Sequence, residues 1–144
     1  MVRTTFAVAF LLFISISLAL GQEKLSAESA SAILQKNFAS AYNRGDLDAM
    51  AAAFDENAIR VTPSGIFQGR ADIRRSFQEA LKIGLHDYSV RRVISHSEGS
   101  FILNVGEWQA KVGDQPFHGY YSAILAGEGD ETRIIEETVS IAAP

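Results

Sequence analysis

Four extended runs close this 144-residue chain: His86 to Ser97, Ser100 to Lys111, Pro116 to Ala126 and Thr132 to Ile141. Each is parted from the next by a short turn signal, Ser97-Glu98-Gly99, Val112-Gly113-Asp114-Gln115 and Gly127-Glu128-Gly129-Asp130. Loops this short can only join neighbouring strands that run in opposite directions, so the pattern predicts an antiparallel meander. A meander of four long strands has two faces, and one of them must be covered by what precedes it.

The preceding residues read as helices. Ala30, Ile33, Leu34, Phe38, Ala41 and Tyr42 recur at three- and four-residue spacing from a start at Ser26, and Gly45 offers a left-handed stop. Asp46 supplies an N-cap for a second helix, with Leu47, Met50, Ala51 and Phe54 as its buried stripe and Asp55-Glu56-Asn57 as its end. Ala58 to Thr62 and Ile66 to Gln68 are short extended pieces about the Pro63-Ser64-Gly65 turn. A third helix spans about Arg70 to Lys82, with Ile73, Phe77 and Leu81 in line and Gly84 beyond it. The expected architecture is α+β: three N-terminal helices on a strongly curved antiparallel sheet of four long strands plus short strands. Such a sheet encloses a conical space, the kind of mouth in which small-molecule sites lie.

The run Phe38-Ala39-Ser40-Ala41-Tyr42-Asn43-Arg44-Gly45-Asp46-Leu47-Asp48-Ala49-Met50 resembles the helical opening of the NTF2-like superfamily, in its SnoaL-like or DUF4440-like (SgcJ/EcaC-type) branch. Phe54-Asp55-Glu56-Asn57-Ala58, Gly65 to Arg70, Gly106-Glu107-Trp108 and Gly119-Tyr120-Tyr121-Ser122 extend the likeness over nearly all of residues 26 to 141. The resemblance implies a cone-shaped domain and homodimerisation through the outer sheet face. Phe101, Leu103, Val105, Phe117, Tyr121, Ala123 and Leu125 would supply apolar surface for that contact. Relatives that isomerise steroids or close polyketide rings use a carboxylate base, helped in the isomerases by a tyrosine. The family's Gly-x-Trp lead into the last strand is absent here.

Upstream of the helices, Arg3 precedes an apolar run from Phe6 to Leu20, broken only by Ser15 and Ser17, and Ala19-Leu20-Gly21 has the small residues of a cleavage site. About fifteen residues fall short of the roughly twenty that cross a bilayer as a helix. Residues 1–21 therefore read as a secretory signal cut after Gly21, and 22–144 as one NTF2-like domain in the periplasm or outside the cell. The only other reading of the run is a retained anchor helix. Of thirteen Lys/Arg and seventeen Asp/Glu, only Arg3 lies in the leader, so the mature chain carries a net charge of −5. That mild acidity speaks against nucleic-acid or anionic-membrane partners. There is no cysteine, so neither a disulfide framework nor a thiol-linked lipid is available. Three histidines without HxH or HExxH spacing give no metal signature, and neither a phosphate-cradling Gly loop nor a Gly-x-Ser-x-Gly elbow occurs. No cofactor is expected.

Candidate site residues are therefore aromatic or acidic. His118 and Tyr120 share a strand face, and Trp108, roughly opposite Tyr120 or Ser122, would complete an aromatic wall with a titratable imidazole. Tyr42, Phe54 and Phe77 would line the helical side. Glu107 sits in line with Leu103, Val105 and Gln109, where desolvation would make it a base. Glu136 and its neighbour Glu137 point to opposite faces of the last strand, and whichever meets the cavity is the best-placed carboxylate. His86, Asp87 and Tyr88 form a polar cluster at a rim. For each residue the plainer reading stands beside the functional one: core packing for the aromatics, solvent-facing charge for the acids and His118. The expected function is binding of a small, largely apolar or aromatic molecule. The alternatives are a cofactor-free isomerase, cyclase or dehydratase using Glu136, Glu107 or His118, and a dimerisation module with a filled core.

Overall fold

The computed structural model describes residues 26–143; the expected signal segment lies outside them. Helix α1 (Ala27–Arg44) starts where the Ser26 side chain accepts the Ser29 amide, and it ends at Gly45 with φ 67°. The Gly45 N–H returns to the last carbonyls of the helix, a conformation that costs a Cβ-bearing residue free energy. Asp46 caps the short α2 (Leu47–Ala52) by accepting the Ala49 amide at 3.0 Å. Then follow β1 (Phe54–Thr62), β2 (Gly65–Gln68), α3 (Arg70–Lys82), β3 (Leu85–Glu98), β4 (Phe101–Val112), β5 (Gln115–Ala126), a 3-10 turn at Gly129–Glu131, and β6 (Arg133–Val139).

Phe54 departs from the helical expectation. The second helix stops at Ala52, and Phe54 opens β1, paired in parallel with Ile134 of β6. An irregularity between Phe54 and Ile59 carries the chain across the Asp55-Glu56-Asn57 corner without breaking the strand. The sheet order is β2-β1-β6-β5-β4-β3. It is antiparallel except for the β1–β6 pair, because the meander starts at one edge and walks back until β6 meets β1. The helices cover one face of this curved sheet, giving the α+β cone.

Register decides which residues enter the cone. On β4, Ile102, Asn104, Gly106, Trp108 and Ala110 point inward; on β5, Gly119, Tyr121, Ala123 and Leu125 do. Phe101, Leu103 and Val105 face out, as expected of a contact surface, but Phe117, Tyr121, Ala123 and Leu125 share the inward face of β5, the last three of them buried, and cannot share that role. Beneath the helices, Phe38, Phe54 and Phe77 pack with centroids 5.5–6.2 Å apart. Phe54, Phe77, Met50 and Ile73 are fully buried, each worth about 1.5–3 kcal/mol of transfer free energy. Asn43 locks the end of α1 to β3: its amide nitrogen donates to Tyr88 O at 2.8 Å and its oxygen accepts Tyr88 N–H at 2.7 Å.

Candidate functional site

Between the helices and the inner sheet face lies a cavity of about 380 Å³, within the range typical of small-molecule sites. Its mouth is formed by the β1–β2 turn, the end of α3 at Ile83, and Ser140-Ile141 after β6. A recess of about 40 Å³ shares Phe38, Tyr88, Tyr121 and Glu137 with it and reaches Gln35 and Asn104.

Most of the wall is apolar, but one cross-strand pair is not. Arg60 on β1 lies beside Glu137 on β6, and its Nε donates to Glu137 Oε2 at 2.7 Å. The side chains are 14% and 11% exposed. Arg60 Nη1 also donates to Ser76 Oγ at 3.0 Å, and the guanidinium lies 4.3 Å above the Phe77 ring. A buried charge needs this degree of pairing, since either partner alone would be strongly destabilised.

Three phenols surround the pair. Tyr42 and Tyr88 are stacked with centroids 4.4 Å apart, and neither hydroxyl has a hydrogen-bond partner among the described residues. Tyr121 accepts from Gln35 Nε2 at 2.9 Å. Burial pushes all three phenol pKa values up. For Tyr42, Arg60 pulls the other way and Glu137 adds to the rise. For Tyr88, Glu137 is the next cause after burial. For Tyr121, the Gln35 hydrogen bond and Arg92 offset part of the rise. The phenols are therefore neutral donors at ordinary pH.

Two glycines make room for aromatic side chains of this wall. Gly106 pairs with Tyr121, and Gly119 pairs with Trp108. A Cβ at Gly106 would meet Arg91 O and lie 2.7 Å from the Tyr121 ring; one at Gly119 would meet Ser140 O and lie 2.7 Å from Trp108 Nε1. Trp108 consequently lies along the wall and donates from Nε1 to Ser140 O at 3.0 Å.

Of the residues expected against a ligand, Tyr42 and Trp108 line the cavity. Phe54 and Phe77 are fully buried beneath it, as part of the core. His118 and Tyr120 project from the opposite sheet face, where with Glu107 and Trp108 they line a separate groove of about 320 Å³: Trp108 pairs with Gly119, one residue from the expected partner, and a one-residue offset reverses the face. Glu107 is also on the outer face, held by Arg91 Nη2 at 2.7 Å. Glu136 faces outward and accepts from Thr138 Oγ1 at 2.7 Å, leaving Glu137 as the cavity carboxylate. Tyr88 lies inside the cone, while His86 and Asp87 stay at the rim, where Asp87 accepts from Lys111 Nζ at 3.1 Å. Sequence reasoning missed Arg60. Its signal was a lone cation alternating with Ile59 and Val61 on a short strand, which required an inward acid on a neighbour.

The family model for the SnoaL-like domain matches residues 35–136. No curated protein matches the chain in sequence. Among solved structures, an NTF-2 like protein of unknown function from Shewanella oneidensis is similar at 19% identity and TM-score 0.70, over 78% of this chain and 98% of that one. A ketosteroid isomerase-like protein from Erwinia carotovora atroseptica aligns at 11% identity and TM-score 0.69, over 83% and 100%. A putative calcium/calmodulin-dependent protein kinase type II association domain from Thiobacillus denitrificans aligns at 17% and 0.66, over 81% and 95%. At such identities the likeness is one of fold: an NTF2-like cone.

Proposed function

The chain belongs to the SnoaL-like domain family, and from that premise we propose that it binds a small, largely apolar or aromatic molecule in its cone, with one polar group of the ligand seated on the Arg60–Glu137 pair and the neighbouring tyrosines. The observation that carries this reading is the open cavity of about 380 Å³ with polar groups converging at one place in an apolar wall. A filled core would leave no such space. Trp108, the one tryptophan of the chain, lies on the wall. A thermal-shift screen of steroids, aromatic ketones and polyketide-like compounds, followed by Trp108 fluorescence, tests it; hits should raise the melting temperature and change the emission. No stabilisation by any compound would contradict it.

A second reading is favoured by one observation: Glu137 Oε1 has no hydrogen-bond partner among the described residues. A carboxylate held in place through one oxygen, with the other free, is suited to take a proton from carbon next to a ligand carbonyl, while a phenol donates to the carbonyl oxygen. Deuterium incorporation at the α-carbon of a bound ketone, read by NMR, should then occur in the wild type and fall at least about a hundredfold in Glu137→Gln. Equal exchange in both proteins would remove this reading and leave the first intact.

The leader-like residues 1–21 support export, which makes the ligand an extracytoplasmic one; mass spectrometry of the protein from the producing cell should show a start at Gln22. The outward-facing Ile94, Phe101, Leu103 and Tyr120, all exposed, support a homodimer built on the convex sheet face.

A further inference from the structure

We infer that the cavity selects ligands without net charge, and that the Arg60–Glu137 pair determines this specificity. The inference rests on the binding reading above and adds the class of molecule.

The polar groups of the cavity can be counted by what they have left to offer. Arg60 has spent Nε–H on Glu137 and one Nη1–H on Ser76, and Ser76 in turn donates to Ile73 O at 2.7 Å. Its Nη2 has no partner among the described residues. Glu137 has spent Oε2 and keeps Oε1. Tyr42 and Tyr88 keep their hydroxyl protons. The site therefore offers several donors and one strong acceptor, but its formal charges already cancel.

An entering carboxylate would gain Arg60 only by sharing it with Glu137, which puts two anions on one guanidinium in a desolvated space. An entering ammonium would face the mirror problem at Glu137. In both cases a charge leaves water without a counter-charge of its own, a penalty that a neutral molecule avoids. A ketone, lactone or hydroxyl oxygen needs only the phenol protons, and a hydroxyl can also donate to Oε1.

The remaining charges near the cavity do not alter the balance. Glu79 at the mouth is exposed and takes Lys82 Nζ at 2.8 Å. Asp87 pairs with Lys111 at the rim of β3 and β4. Arg92, on the inner side of β3, donates to Ser31 Oγ at 3.3 Å beneath α1 and lines neither the cavity nor its recess.

The test uses three naphthalenes of matched size: 2-acetylnaphthalene, 2-naphthoate and 2-(aminomethyl)naphthalene, titrated calorimetrically at pH 7. In the wild type the ketone should bind at least about tenfold more tightly than either charged compound. Glu137→Gln leaves Arg60 without its counter-charge, so naphthoate affinity should rise about tenfold or more while ketone affinity changes less. Arg60→Met should favour the ammonium in the same way. If either variant fails to fold, the wild-type ranking still decides. Naphthoate or the ammonium binding as tightly as the ketone would overturn charge selection and leave cavity binding standing. A folded Glu137→Gln protein with no gain for naphthoate would remove the pair from its assigned role. If none of the three binds, the cavity reading fails and this inference with it.

Discussion

At Phe77 the core and the site meet in one side chain. Its ring packs against Phe38, Phe54 and Tyr42, and its face carries the Arg60 guanidinium at 4.3 Å. Phe77→Ala removes a fully buried ring and should cost about 3–5 kcal/mol in urea denaturation, with the Arg60 support lost as well. The phenols make a second residue-scale prediction. Their folded pKa values are raised above the ordinary value of 10.0, so the unfolded chain ionises first. Their contribution is fully present below pH 10 and is lost as pH rises from there toward the folded pKa values. Melting temperature should therefore fall more steeply above pH 10 in the wild type than in Tyr88→Phe, whose half-buried ring has no proton to lose. Parallel curves would contradict this. At this scale the sequence was only partly legible. Tyr42 and Trp108 were found because large aromatics near a predicted cone are natural lining. Arg60 was missed because a single arginine on a five-residue run looks like surface until its partner on β6 is known.

The C-terminal segment after β6 depends on β5. Ser140 N donates to Tyr120 O and Ala142 N to His118 O, both at 2.9 Å, while Ser140 O receives the Trp108 indole. Gly119 lies at this crossing with no room for a Cβ. Gly119→Ala should displace the segment, destabilise the fold by about 1–3 kcal/mol, and shift Trp108 emission to the red; unchanged emission would show that the segment does not depend on this contact. The strands themselves were readable, because alternation and two-residue turns mark them well. What alternation does not give is which set faces in. Parity follows from the hairpin closing Val112 on Gln115, and one residue of error moved Tyr120 and His118 into the expected cavity. Phe54 illustrates a different limit: its spacing from Met50 suits a helix, but pairing with Ile134 on a strand distant in sequence decides its conformation.

Across the whole molecule, one sheet face holds the cavity of the cone, and the other an apolar strip beside a polar groove at Arg91, Glu107 and His118. If the strip closes a homodimer, Leu103→Glu should give a monomer in analytical ultracentrifugation without lowering the affinity of the cavity for a neutral ligand, since Leu103 points away from it. A wild-type monomer would rule the homodimer out. The central claim is that the cone is a ligand site and not merely unfilled space. Ala110 lines the cavity and is 3% exposed, so Ala110→Phe places a ring in the space from β4, with β5 between it and Glu137 on β6. The direct measurement is a calorimetric titration of 2-acetylnaphthalene into the wild type and into folded Ala110→Phe. Saturable one-to-one binding is expected in the first and at least about a tenfold loss in the second; equal binding by both proteins, or none by the wild type, would contradict a ligand site in the cone.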